Sequence, residues 1–521
     1  MTRAMRRRTG LMVLALLTVL WPTQPGWGKE GSQFKAPLVA EIAFQYAATD
    51  PSPAAVKVLD QALALIATMP SACYQATPLM RVANGYTLVG QASKGQQLLT
   101  EAFQVARAQT LANCTLSATS PEEALLNRAG EYAKAGSYDF ALAIVRGVDN
   151  WFRPIAMLRV VDAYQQAQKP EQAKQLLDEA LVLAQREPNL RSRRQILLGM
   201  AFELKRSGQT AFLPVVLQPA LESIRASHSQ TAADRSWDLT QTLQIAGLLL
   251  GSGQQASALA LLQQVLPEIQ ALRVTQFPAT PVQLLSQTAT LYAAGGEVSQ
   301  AKALLATALA QAQALAPSLR PAAVAHVARS YAAMGQLQTA RALAGQIKTQ
   351  TDREPVLQAI ALQHAKVGAV AEAVKLARSL STANNLVLSE IVRQYLAQQQ
   401  YDQALQLARR ERVQNILPDV ALAYAEAGQP QQAMRIVEAI PVLAHSPAHL
   451  DWLLPALARS FAQKGQFDQA LRVAQGIRTK VYKGQALIMI ATEYRAQDSV
   501  ANRAKGTAIL EQALQVALSM Q

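Results

Sequence analysis

The stretch LPALARSFAQKGQFDQALRVAQ, residues 454–475, decides the fold. Leu454, Leu457, Ala458 and Phe461 recur at helical spacing and form one apolar face. Gly465 ends that helix, because only glycine enters the left-handed backbone region without a Cβ clash. A second helix follows at once. Its Ala470, five residues past Gly465, lets the two helices approach closely, and Phe461 fills the space beside it. The segment reads as a helix–turn–helix.

The same register runs outward through the chain. Turns fall at Asp50, Gly90, Gly136, Gln168, Gly208, Gly253, Gly296, Gly335, Gly368, Gln399, Gly428, Gly465 and Asp498. Four residues before the turn stands an aromatic: Tyr46, Tyr86, Tyr132, Tyr164, Tyr292, Tyr331, Tyr395, Tyr424, Phe461 or Tyr494. Those positions take nine of the 13 tyrosines, which chance does not produce. Five residues after the turn, alanine recurs at 141, 173, 258, 301, 340, 373, 404, 433 and 470. One such hairpin cannot bury its apolar face alone, whereas stacked hairpins bury a continuous core. The expectation is an all-α solenoid of about thirteen helix-turn-helix repeats, an elongated stack. A length of 521 residues would otherwise call for several domains.

The runs Gly136-Ser137-Tyr138-Asp139-Phe140-Ala141, Gln399 to Ala404 (QQYDQA) and Gly465 to Ala470 (GQFDQA) resemble the tetratricopeptide repeat family. The resemblance covers residues 38–521 and implies a right-handed superhelix whose first helices line a concave, protein-binding groove. The chain departs from the family in two ways. Turns lie 29 to 46 residues apart, and the early Trp and Leu-Gly of the family pattern are absent. The units around Gly208 and Gly253 stray farthest, with Leu204 and Leu249 at the aromatic position. Residues 226–238 and 273–283 read as long loops.

Arg3, Arg6, Arg7 and Arg8 followed by the apolar run Leu11 to Leu20 read as an export signal, too short to span a bilayer. Small residues at Gly26 and Gly28 place cleavage after Gly28; an uncleaved anchor is the rival reading. The domains are then a signal peptide at 1–28, a linker at 29–37 and the repeats at 38–521. The expected location is periplasmic or an equivalent compartment. A loosely twin-arginine-like start (Arg7-Arg8) leaves general secretion favoured. Of the net charge of +14, the four signal arginines account for part. The basic runs Arg186–Arg194 and Arg409–Arg412 read as solvated loop charge, because an exported protein rarely meets nucleic acid.

Motifs for catalysis are missing from the sequence. His445 and His449 stand four apart, but Pro447 lies between them and no Glu completes a metalloprotease motif. His364 takes the aromatic register, as a core histidine would, and His326 is expected on the exposed face. No phosphate-binding glycine loop and no serine elbow occur. The reading is a non-catalytic scaffold or assembly factor with no cofactor, no metal and no nucleic acid. Its partner is a protein or peptide of acidic character, and any membrane association runs through that partner. The alternatives are a structural subunit of an envelope complex and a helical-toroid carbohydrate-active enzyme. The second of these would need paired carboxylates and sugar-stacking aromatics.

On the helical wheel, positions 13, 9, 6 and 2 residues before the turn point away from the core. They carry Arg81, Asn84, Asn127, Lys134, Arg159, His326, Arg329, Lys366, Arg393 and Arg459, interrupted by Asp162, Glu390, Asp419 and Glu426: a polar, net basic face. Asn84, Asn127 and Arg159 stand in registers matching three residues of carboxylate-clamp repeat domains, while Met80 and Ile155 replace the clamp lysines. Arg329, Arg393 and Arg459 share the register six before the turn, a row suited to carboxylates. Cys73 and Cys114 lie 23 and 24 residues past the turns at Asp50 and Gly90, on one edge of adjacent units. In an oxidising compartment they are expected to form a disulfide.

Overall fold

A computed structural model describes residues 34–69, 74–111, 120–227, 231–275, 277–381, 384–440, 450–497 and 499–520. The signal segment, Cys73, Cys114, His228, His445 and His449 lie outside the described residues. Thirteen helical hairpins follow one another: α1 (Lys35–Thr49) and α2 (Pro53–Ala67), α3 (Ala76–Leu88) and α4 (Ala92–Leu111), α5 (Pro121–Lys134) and α6 (Tyr138–Gly147). Next come α7 (Arg153–Gln166) and α8 (Pro170–Gln185), α9 (Leu190–Arg206) and α10 (Leu213–Arg225), α11 (Ala232–Gly251) and α12 (Gln255–Ala271), α13 (Thr280–Ala294) and α14 (Val298–Ala314). Then follow α15 (Arg320–Ala333) and α16 (Leu337–Gln346), α17 (Gln350–Lys366) and α18 (Val370–Arg378), α19 (Asn384–Ala397) and α20 (Tyr401–Arg410). The series ends with α21 (Leu417–Glu426) and α22 (Pro430–Ala439), α23 (Leu454–Gln463) and α24 (Phe467–Gly476), α25 (Lys480–Arg495) and α26 (Val500–Leu518). No strand occurs among the described residues. None of the described helices is long and apolar enough to cross a membrane.

The register explains the hairpin. Each internal turn residue, Gly90 through Gly465 and including Gln168 and Gln399, has positive φ. At Gly465 the N–H of Gln466 donates to the carbonyl of Phe461, and at Gly90 the N–H of Gln91 donates to that of Tyr86. The aromatic residue therefore packs the core with its ring and closes the helix end with its backbone. Alanines 141, 173, 258, 301, 340, 373, 404, 433 and 470 are all fully buried, so a larger side chain there would force the paired helices apart. Ser120 caps α5, its Oγ accepting the N–H of Glu123 at 3.1 Å.

Several details differ from expectation. The first helix begins at Lys35, inside the stretch assigned to the linker. The expected loop at 226–238 is mostly helix: Thr231 accepts the N–H of Asp234 at 3.0 Å and starts α11. The expected loop at 273–283 ends at Thr280, where α13 begins.

The hairpins group into two compact units, Met1–Ala156 with Gln414–Gln521, and Met157–Val413. In the first unit, α1 packs against α25 and α26 as well as α3. Tyr46 donates to Glu511 at 3.0 Å and Lys35 to the Met520 carbonyl at 2.9 Å. Leu38 closes over Gly484, where a Cβ would meet its methyls. One hairpin along, Tyr86 of α3 donates to Asp60 of α2 at 2.5 Å, and Leu59 closes over Gly85. The first hairpin thus sits on the last as the second sits on the first. The first and last hairpins, expected at opposite tips of an elongated stack, lie side by side, because their apolar faces cover one another.

Candidate functional site: the face of the first helices

In the first unit this face is crossed by charge. Arg81 of α3 binds Glu41 of α1 at 2.7 Å and Glu131 of α5 at 3.3 Å, and Arg128 binds the same Glu131 carboxylate at 2.6 Å. The Arg81 guanidinium lies over the rings of Phe44 and Tyr132, 5.1 and 5.2 Å from their centroids. Burial disfavours its charge, but Glu41 and its other neighbours outweigh that and hold it above the ordinary guanidinium range. Burial pushes the Tyr132 phenol up to about 12, against the pull of Arg81 and Arg128. On α25, burial lowers the Arg495 pKa, and Glu41 partly restores it. Arg459 of α23 binds Glu493 of α25 at 2.8 Å. From α23 through α25, α1 and α3 to α5, acids and bases alternate across the seam where the first and last hairpins meet.

The sequence-selected residues fare unequally. Asn84 is buried at 1% exposure, and its Nδ2 has no hydrogen-bond partner. Asn127 is half-buried. Arg459, expected in the exposed row, is buried at 9%. In the second unit Arg159 of α7 lies 3.4 Å from Glu203 of α9, which Arg206 also binds. Arg329 contacts the Nδ1 of His326 on its own helix at 2.6 Å. Burial, then Arg329, lowers the pKa of that half-buried histidine. Arg393 is exposed and lies 3.5 Å from Glu390, one turn away on α19. His364, expected in the core, is half-buried.

The wheel missed the acids. Glu131, Glu203 and Glu493 all stand five residues before their turns, beside the core aromatic position. Each meets an arginine of the preceding hairpin: Arg81, Arg159 or Arg459. A glutamate repeated at that position was the available signal. The face is a set of ion pairs rather than a bare basic groove. Among the described residues no group of three His, Cys, Asp or Glu side chains is placed to hold a metal ion.

No family model matches the chain, and no curated protein matches it. Similar solved structures include Ton1535 from Thermococcus onnurineus NA1, at 15% identity over 76% of this chain and 100% of that one, with a TM-score of 0.26. The Cut9–Hcn1 hetero-tetramer of the APC/C matches at 13% identity over 89% and 81%, with a TM-score of 0.23. Naa15/Naa10 bound to HypK-THB matches at 11% over 99% and 78%, also with a TM-score of 0.23. Likeness at this level carries no argument about a site or a partner.

Proposed function

We propose that the chain is a non-catalytic scaffold that acts outside the cytoplasm and holds a protein or peptide partner of acidic character on its first-helix face. The observation that carries this reading is the makeup of that face in the second unit. Arg329 and Arg393 hold the register six before the turn, Lys366 is exposed at the end of α17, and Phe202 and Leu386 stand 50% and 65% exposed. Leu386 and Arg393 lie two turns apart on α19, so one face of α19 offers both an apolar anchor and a guanidinium. Interfaces use this pairing of buried apolar contact with arginine forks. The carboxylates Glu41 and Glu131, which could have formed an acid/base pair, are both engaged by Arg81, which speaks for a structural role. Of the clamp-like positions, Asn84 is too deeply buried to meet a partner, which leaves half-buried Asn127 in the first unit and Arg159 in the second as further candidates, each within its own unit.

The test uses the purified mature chain, immobilised and exposed to an envelope fraction and to an Asp/Glu-rich peptide. Arg329→Ala with Arg393→Ala is expected to lose the peptide and the captured partner. Arg393→Ala alone should barely move the melting temperature, because exposed substitutions change stability by less than about 0.5 kcal/mol, and half-buried Arg329 should add a modest loss. Binding should also weaken with salt, since exposed charges are screened over about 8–10 Å at physiological ionic strength. Equal capture by the double variant at low salt overturns the reading. The same compartment suits a bridge between Cys73 and Cys114; free thiols in the unreduced mature protein would refute it.

A further inference from the structure

The two hairpins whose sequence strays farthest from the register, α9–α10 and α11–α12, border a cavity of about 410 Å³ in the second unit. Its origin is local. At 20 residues α11 is the longest of the first helices, and the cavity is lined by its N-terminal half, the end of α10 and the middle of α12. The floor is apolar: Ile224 from α10, Leu239 from α11, and Leu261 and Val265 from α12. The Asp238 carboxylate at the wall is already satisfied. It pairs with the buried Arg194 and accepts from the Ser227 hydroxyl at 2.7 Å. The rim holds two exposed guanidinium groups, Arg225 and Arg235, against one exposed acid, Glu268. Arg225 reaches Gln264 at 3.5 Å, and Arg235 has no ion-pair partner among the described residues.

We propose that this cavity binds a small amphiphilic carboxylate, its apolar stem on the Ile224, Leu239, Leu261 and Val265 floor and its head group between Arg225 and Arg235. The volume falls in the range of small-ligand pockets, roughly 300–1,000 Å³. At roughly 30 Å³ per heavy atom it holds about a dozen such atoms, the size of decanoate. A neutral stem would gain only the floor, and a dianion would meet Glu268. Planar, permanently charged donors at the rim favour a carboxylate head group. This assignment is independent of the partner-binding face.

The experiment is calorimetric titration of the full mature chain with decanoate, with decan-1-ol as the uncharged control. One saturable site is expected for decanoate, with decanol at least tenfold weaker. Arg225→Gln with Arg235→Gln should weaken decanoate at least tenfold and bring it level with decanol. Val265→Trp should abolish binding by filling the floor. Glu268→Gln, an exposed change that does not threaten folding, should tighten decanoate several-fold. Equal affinity for decanol and decanoate, unsaturable uptake, or wild-type binding by the rim variants overturns the proposal.

Discussion

The first-helix face of the first unit is built differently from α15 and α19 of the second. In the first, its charges join one helix to the next: Glu41 to Arg81, Arg81 to Glu131, Arg459 to Glu493, all with side chains less than 20% exposed. Along α15 and α19 of the second, the contacts seen lie within a single helix, Arg329 with His326 and Arg393 with Glu390, and the latter pair is about half exposed. The same residue type in the same register, Arg459 against Arg329 and Arg393, therefore serves two ends. Arginine that meets a glutamate of the next hairpin becomes part of the packing. Arg393, with Glu390 one turn away on its own helix, is exposed, where a partner can reach it.

The largest effect should come from the buried network. Arg81→Ala removes the ion-pair partner of Glu41 and one of the two arginines of Glu131, and should cost about 3–5 kcal/mol in urea unfolding at 25 °C. Arg393→Ala should cost less than about 0.5 kcal/mol. Equal losses at the two sites would erase the distinction between the units. A second test asks whether the seam between the chain's ends is a normal repeat interface. Tyr46→Phe and Tyr86→Phe each delete one phenol–carboxylate hydrogen bond and should cost similar amounts, about 1.5–3 kcal/mol, at seam and interior alike. A negligible loss at Tyr46 would mark the seam as weak.

A third prediction concerns pH. Burial, with Arg329, keeps the His326 pKa below its ordinary 6.5 in the folded chain, so the unfolded chain binds its proton more readily. Stability is then full above that ordinary value and falls as the pH drops through it. Between pH 7.5 and 5, the wild type should lose more melting temperature than His326→Gln. A smaller effect than that of the buried network lies at the turns. Gln399 takes φ 61°, a region costly for any residue with a Cβ. Gln399→Gly should stabilise by about 0.5–1 kcal/mol, measured by urea unfolding, whereas Gly465→Gln should destabilise by a similar amount.

What could be read from the sequence was what the backbone and the core demand. Gly90 to Gly465 announce the turn because left-handed φ excludes most other residues. Tyr132 and Ala141 announce the interface because one fills volume and the other must not. The site was harder. A helical wheel treats each helix alone, so it placed Arg81 and Arg459 on an exposed face. It could not see that Glu131 and Glu493, next to the core aromatic on the following hairpin, lean across to meet them. The buried Asn84 shows the same limit: its register was right, but its burial depends on neighbours that one helix does not contain. The contact between α1 and α26 had no local signal at all, since residues 465 apart share no period.

That contact sets an order of events. A polypeptide is made from its N-terminus, so α1 and α2 emerge before any of the partners on α25 and α26 exist. Most hairpins here can settle on a neighbour made moments earlier, a short-range step that needs little chain ordering. The Tyr46–Glu511 seam instead must wait for nearly the whole chain, and bears the loop-closure entropy of some 465 residues, which grows only logarithmically with length. Until then, the faces of α1 that later meet Gly484 and Glu511 stay bare. During that interval the nascent protein has an unsatisfied end for which a chaperone, or the last hairpin of a neighbouring copy, would compete.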